Sequence, residues 1–169
     1  TKAAEPMGTD RGVSSGSIQW GDMDGDGDLD LAVSGYAGYD GTAVRWIMMV
    51  FRNDGVGVFT KAAEPMGSGV GLHSSSIDWG DYDNDGDLDL AVSGMSGNGI
   101  TTQTIHLIVY RNDGGGRFVK AAEPMGAGAG LYASSIDWGD YDNDGDLDLA
   151  ASGRTDIIVG MVMVIYRND

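Results

Sequence analysis

Apolar residues along this chain fall into short runs and alternations broken by glycine and aspartate, and no segment sustains the 3.6-residue period of a helix. Ser75–Trp79 alternates and leads into an acidic loop; Leu88–Ser93 leaves that loop and ends in a Gly-rich turn. Trp46–Phe51, Ile105–Tyr110 and Met161–Tyr166 are apolar at nearly every position, the pattern of a strand buried on both faces. Arg111–Gly114 is a turn signal, and Phe118–Ala122 reads as a further strand closed by Pro124. Lys120 on that strand guards an edge against further pairing.

The pattern repeats. KAAEPMG stands at Lys2–Gly8, Lys61–Gly67 and Lys120–Gly126, a period of 59 residues. Trp79–Ala91 and Trp138–Ala150 are identical, which points to recent amplification or deliberate repetition. Units of about 1–59, 60–118 and 119–169 make one all-β domain. Four antiparallel strands per unit, the third apolar on both faces, describe a β-propeller blade packed between neighbours. A β-solenoid is the competing architecture, but its coils are much shorter than 59 residues.

Between the first two strands of each unit lies a run of carboxylates. Asp81, Asp83, Asp85, Asp87 and Asp89 occupy loop positions 1, 3, 5, 7 and 9, with Gly86 at position 6. Oxygens on alternate residues suit Ca²⁺, a hard cation that takes six to eight of them; the glycine permits the sharp turn and the Asp87 carbonyl is a further ligand. Asp89 is placed to bind through both oxygens. The other copies are Asp22, Asp24, Asp26, Asp28 and Asp30 with Gly27, and Asp140, Asp142, Asp144, Asp146 and Asp148 with Gly145. An EF-hand is excluded, because Val33, Val92 and Ala151 stand where its position-12 glutamate is required.

Charge strengthens this reading. The chain of 169 residues carries 26 acidic against 10 basic residues, a formal charge of −16, and fifteen of the acids sit in these three loops. Without a cation each loop would crowd five carboxylates; three Ca²⁺ per chain would bring the charge to −10. A merely solvated acidic turn is the plainer alternative. The ten scattered cations leave no basic stripe for nucleic acid, no apolar run approaches a membrane span, and the lack of cysteine removes disulfide, thiolate–zinc and thiol chemistry.

The loop D-x-D-x-D-G-x-x-D between two short strands, followed by Y-R-N-D-G-x-G-x-F, resembles the FG-GAP/VCBS repeat of integrin α-subunit propellers and of many secreted bacterial and fungal proteins, some of them lectins. The resemblance covers essentially the whole chain. It implies a calcium-binding β-propeller with its metal loops between the first and second strands of each blade, and an extracellular setting; in such a setting affinities of about 10⁻⁴–10⁻³ M are expected. It does not fix function, since such propellers serve adhesion, carbohydrate binding and scaffolding.

Three blades are fewer than the four to eight that close a ring. Three complete units would need 177 residues, and the alignment of the copies leaves Thr1–Pro6 as a fourth strand without a blade and the last blade without its outer strand. These deficits are complementary. Head-to-tail strand exchange between two copies gives a six-bladed homodimer, whereas a trimer gives nine blades, outside the usual range. A fragment of a longer propeller, associating only because it was cut, is the alternative.

Loops at the end opposite the metal loops diverge among the copies. They hold Tyr36, Tyr39 and Asp40 in the first, Met95 and Asn98 in the second, Arg154 and Asp156 in the third, with Ser14, His73 and Tyr132 equivalent in the other connector. Tyr36, Tyr39, His73 and Tyr132 are therefore candidate platforms for a glycan or protein ligand, set against neutral drift of exposed loops. Trp20, Trp79 and Trp138 share one repeated position and read as core. No catalytic residue is expected: His106 aligns with Ile47 and Val162 on a packed strand, no nucleophile–base pair is apparent, and Glu5, Glu64 and Glu123 fit turns or edges.

Overall fold

The computed structural model describes residues 4–8, 11–39, 41–97, 103–155 and 160–169. Every regular element among them is a strand: β1 (Ser14–Gly21), β2 (Asp30–Tyr39), β3 (Val44–Asn53), β4 (Phe59–Ala63), β5 (His73–Gly80), β6 (Asp89–Gly97), β7 (Gln103–Asn112), β8 (Phe118–Ala122), β9 (Tyr132–Gly139), β10 (Asp148–Arg154) and β11 (Met161–Tyr166). They form three antiparallel meanders, β1-β2-β3-β4, β5-β6-β7-β8 and β9-β10-β11. The first strand of each carries a register shift at one repeated place, where Ser15, Ser74 and Ala133 take positive φ.

Successive sheets lie face to face, β5 against β1 and β2, and β9 against β5 and β6. Pleat alternation divides each inner strand between two cores. Leu90, Val92, Ile108 and Tyr110 meet Ala32, Met48 and Val50 of the first sheet. From the other side of the same sheet, Ala91, Leu107 and Val109 meet Ile136, Leu149 and Ala151 of the third. Ser34 and Ser75 share a hydroxyl hydrogen bond of 2.7 Å across the first junction, and Ser93 and Ser134 one of 2.8 Å across the second.

Glycine sets how closely the sheets approach. The Trp79 indole covers Gly21, where an added Cβ would sit 2.7 Å from Cδ1; Trp138 covers Gly80 at the same distance. Gly71 and Gly130 abut the backbone of Ile47 and His106, and main-chain bonds Leu72 N–H to Ile47 O (3.3 Å) and Leu131 N–H to His106 O (3.1 Å) seal the contacts.

Two expectations need correction. Met161–Tyr166 is not buried on both faces: Met163 is 85% and Ile165 49% exposed, although Leu107 and Val109 at the equivalent places are buried. Trp20 is 54% exposed, whereas Trp79 and Trp138 are partly buried against the preceding sheet. In both cases the residue type repeats but the neighbouring sheet does not. Of Thr1–Pro6, residues 1–3 lie outside the described residues, and Ala4 and Glu5 belong to no strand.

Candidate metal centre

Each acidic loop joins the first and second strands of its sheet, and local hydrogen bonds give all three the same shape. The position-1 carboxylate accepts two main-chain N–H groups: Asp22 from Asp26 (3.1 Å) and Gly27 (3.0 Å), Asp81 from Asp85 and Gly86 (both 3.1 Å), Asp140 from Asp144 (3.2 Å) and Gly145 (3.1 Å). The position-5 carboxylate accepts the N–H of position 7 at 2.9–3.0 Å in Asp26, Asp85 and Asp144. Gly27, Gly86 and Gly145 take φ of +93°, +96° and +102°, so the expected glycine turn is present. Position 4 is also left-handed, as Gly25, Asn84 or Asn143, residue types that tolerate that region.

The loops gather carboxylate oxygens. Asp22, Asp24 and Asp30 bring one oxygen each within 4.8 Å of one another, as do Asp81, Asp83 and Asp85, and Asp140, Asp142 and Asp148. Asp24 Oδ1 and Asp142 Oδ1 are buried and have no hydrogen-bond partner among the described residues. A desolvated anionic oxygen without a donor is costly, and a hard cation would supply what the loop lacks. Residues and geometry therefore fit Ca²⁺. Of the side chains at position 7, that of Asp146 accepts from Asn84 Nδ2 (2.6 Å) and that of Asp28 closes on Gly55.

Position 9 does more than the spacing implied. Asp30, Asp89 and Asp148 are buried, and each places its two oxygens on two main-chain N–H groups. Asp30 accepts from Met23 (2.9 Å) and Asn53 (2.7 Å), Asp89 from Tyr82 and Asn112 (both 2.7 Å), and Asp148 from Tyr141 (3.0 Å) and Asn168 (2.9 Å). This carboxylate ties the acidic loop to the turn after the third strand, so both lie at one end of the sheet. Burial raises Asp30 and takes Asp89 to about 6, against the lowering by those N–H bonds; the neighbouring acids add to the rise.

Sequence reasoning treated the R-N-D-G run as a turn and missed its other duty. Asn112 Nδ2 reaches back to the Met23 carbonyl of the preceding loop (2.7 Å), and Asn168 Nδ2 to that of Tyr82 (2.8 Å). Arg111 approaches Asp83 at 3.7 Å, and Arg167 approaches Asp142 at 3.1 Å and Asp144 at 3.3 Å, offsetting part of the loop charge. The repetition of Arg-Asn-Asp in all three copies was the available signal.

At the opposite end the candidate platforms do not converge. Tyr36 and His73 flank Trp46, with ring centroids 5.2 and 4.3 Å apart; Trp46, absent from the sequence-based set, is the centre of that cluster. Tyr39 stands exposed with its hydroxyl donating to Gly41 O, and Tyr132 lies on another sheet beneath Arg154. Asp40, Asn98 and Asp156 fall outside the described residues. One pairing was unforeseen: Ser96 Oγ lies 2.7 Å from His106 Nε2, reached diagonally across β6 and β7 because His106 faces Gly94. Burial lowers His106, and among the described residues no hydrogen bond orients its other nitrogen, so the contact lacks the third member of a catalytic relay. Glu64 and Glu123 pair with Lys61 (3.3 Å) and Lys120 (3.1 Å), as strand-end residues.

The profile of the FG-GAP-like repeat family matches residues 22–92 and 96–151, about three quarters of the chain and all three acidic loops. Searches of curated proteins and of solved structures returned no match. No helix among the described residues is long and apolar enough to cross a membrane.

Proposed function

This chain belongs to the FG-GAP-like repeat family, and on that footing we propose that its three sheets are blades of a calcium-binding β-propeller that acts as a rigid interaction scaffold and not as an enzyme. Asp22, Asp24, Asp26 and Asp30, with the carbonyl of Asp28, form the first ligand set. Asp81, Asp83, Asp85, Asp89 and Asp87, and Asp140, Asp142, Asp144, Asp148 and Asp146, form the other two in the same roles. Bound Ca²⁺ supplies charge neutralisation and loop cross-linking. The observation that carries this reading is the pair of buried oxygens on Asp24 and Asp142, without a hydrogen-bond partner among the described residues, inside carboxylate clusters. An extracellular setting, where millimolar calcium saturates weak sites, accords with it.

Calorimetric titration of the chelator-stripped chain tests the reading. Three equivalents of Ca²⁺ are expected, falling to two in each of Asp24→Asn, Asp83→Asn and Asp142→Asn; absence of calcium uptake by the parent would refute it.

A second reading adds recognition at the variable end, favoured by the exposed Tyr39 and the Tyr36–Trp46–His73 cluster on rigid strands. A glycan array without hits at high protein concentration would remove its lectin form.

A further inference from the structure

The two sheet junctions inside the chain are copies of one interface, and each of the two outermost sheets carries one unmatched half of it. On the third sheet, Gly139 has nothing within 4 Å of an added Cβ, whereas Gly21 and Gly80 are covered by an indole. On the first sheet, Trp20 is the uncovered indole and Ile18 is 56% exposed, although Ile77 and Ile136 at the same place are buried. Gly12 likewise has open space where Gly71 and Gly130 meet the backbone of a neighbouring third strand. Met163 and Ile165 present to solvent the positions that Leu107 and Val109 bury.

The polar groups are matched too. Asn112 and Asn168 each donate to the carbonyl of the preceding acidic loop, and the third loop's Tyr141 carbonyl has no such donor among the described residues. The side-chain amide of Asn53, their equivalent, donates to Leu29 O (3.2 Å) and, among the described residues, to no carbonyl of another loop, leaving its second N–H for that task. Asn84 bonds Asp146 of the next loop, and the equivalents of that pair, Asn143 and Asp28, stand on the two outermost sheets.

We infer that a second copy of this chain docks head to tail, its first sheet on this chain's third, and that the contact made twice closes a ring of two chains. Trp20 of the partner covers Gly139, its Gly12 abuts Val162, and its Asn53 completes the third acidic loop. One internal contact is not reproduced, because Gly16 replaces the serine that would face Ser152. Two copies give six sheets, within the range that closes, while three give nine. Only this count rests on the propeller reading above; the pairwise contact does not.

The test is absolute mass by light scattering of the 169-residue chain in calcium, with Gly139→Leu and Gly12→Leu. At neither glycine does an added Cβ meet an atom of the described residues within 4 Å, and neither has a left-handed φ, so both variants are expected to fold. The parent should weigh twice 17.6 kDa and each variant 17.6 kDa with an unchanged circular dichroism spectrum. Mixing the two variants should restore a heterodimer, because one of its two junctions then carries neither substitution; a face-to-face dimer would not behave so. A monomeric parent, a dimer indifferent to Gly139→Leu, or a trimer would overturn the inference. Three bound calcium ions on a monomer would overturn it and leave the proposed function standing. A dimer lost in both variants, in a chain that takes up no calcium, would do the reverse.

Discussion

The indole of Trp79 lies so close over Gly21 that a methyl group on the glycine would stand 2.7 Å from Cδ1 and 2.8 Å from Cγ. The ring packs against the core that buries Ile77 and Leu90, so displacing it disturbs that packing. Gly21→Ala and Gly80→Ala should therefore destabilise the fold by about 1–3 kcal/mol through overpacking. Gly139→Ala, in an ordinary backbone region with open space above it, should cost nothing in the single chain and gain up to about 1 kcal/mol by restricting the unfolded state. Urea melts of the three variants at a concentration that keeps the chains separate would check the contrast.

Asn112 offers a second matched comparison. Fully buried, it donates to Met23 O at 2.7 Å and Leu88 O at 3.3 Å and accepts from Gly114 N–H at 3.1 Å. Asn112→Ala strands a carbonyl in each of two acidic loops and should cost about 1–3 kcal/mol. Asn53→Ala removes the same residue type from a half-buried setting, where its amide meets one carbonyl of one loop, and should cost less, about 1 kcal/mol or below, in the single chain. Chemical denaturation of both variants reads the difference directly.

These pairs show how far the sequence was legible. The strands, the acidic loop and its position-6 glycine follow from residue type and spacing, because each depends on neighbours within about ten residues. Trp20 and Trp79 are indistinguishable by that measure. What separates them is whether another sheet lies behind, and periodicity is silent on that. The same holds for Met163 and Leu107. The Asn112–Met23 bond joins residues 89 apart, so its meaning emerged only once two units were stacked. Position 9 was legible as a carboxylate of the candidate metal loop, but its role as a brace between two loops needed the register of β2 and β3.

Removing calcium should lower stability if the loops hold it. A ligand present at a hundred times its dissociation constant adds about 2.7 kcal/mol per site to the folded state. Thermal melts in millimolar Ca²⁺ and in EDTA should thus differ clearly, and the difference should shrink in Asp24→Asn, where one site is lost. Identical melts of the parent in both buffers would show that the carboxylates are solvated without a cation.

Asp78 should make the chain less stable at neutral than at acid pH. Its carboxylate is half-buried between the second and third sheets, accepts the Trp138 N–H at 3.1 Å and faces Asp137. Burial, the larger cause, and the neighbouring acid both raise it above the ordinary carboxylate value, while the backbone bond lowers it. A raised carboxylate binds its proton more tightly in the folded chain than in the unfolded one. Its contribution to stability therefore falls as pH rises through the folded value and is restored in acid. Asp78→Asn keeps an acceptor for Trp138 and turns an amide toward Asp137, so the variant should be more stable than the parent at pH 7. That advantage should disappear below about pH 4, the ordinary carboxylate range. Melting temperatures of both chains at pH 7 and pH 3, in buffers of equal ionic strength, would decide it: a gain of the same size at both values would mean that the charge of Asp78 is not what the substitution relieves.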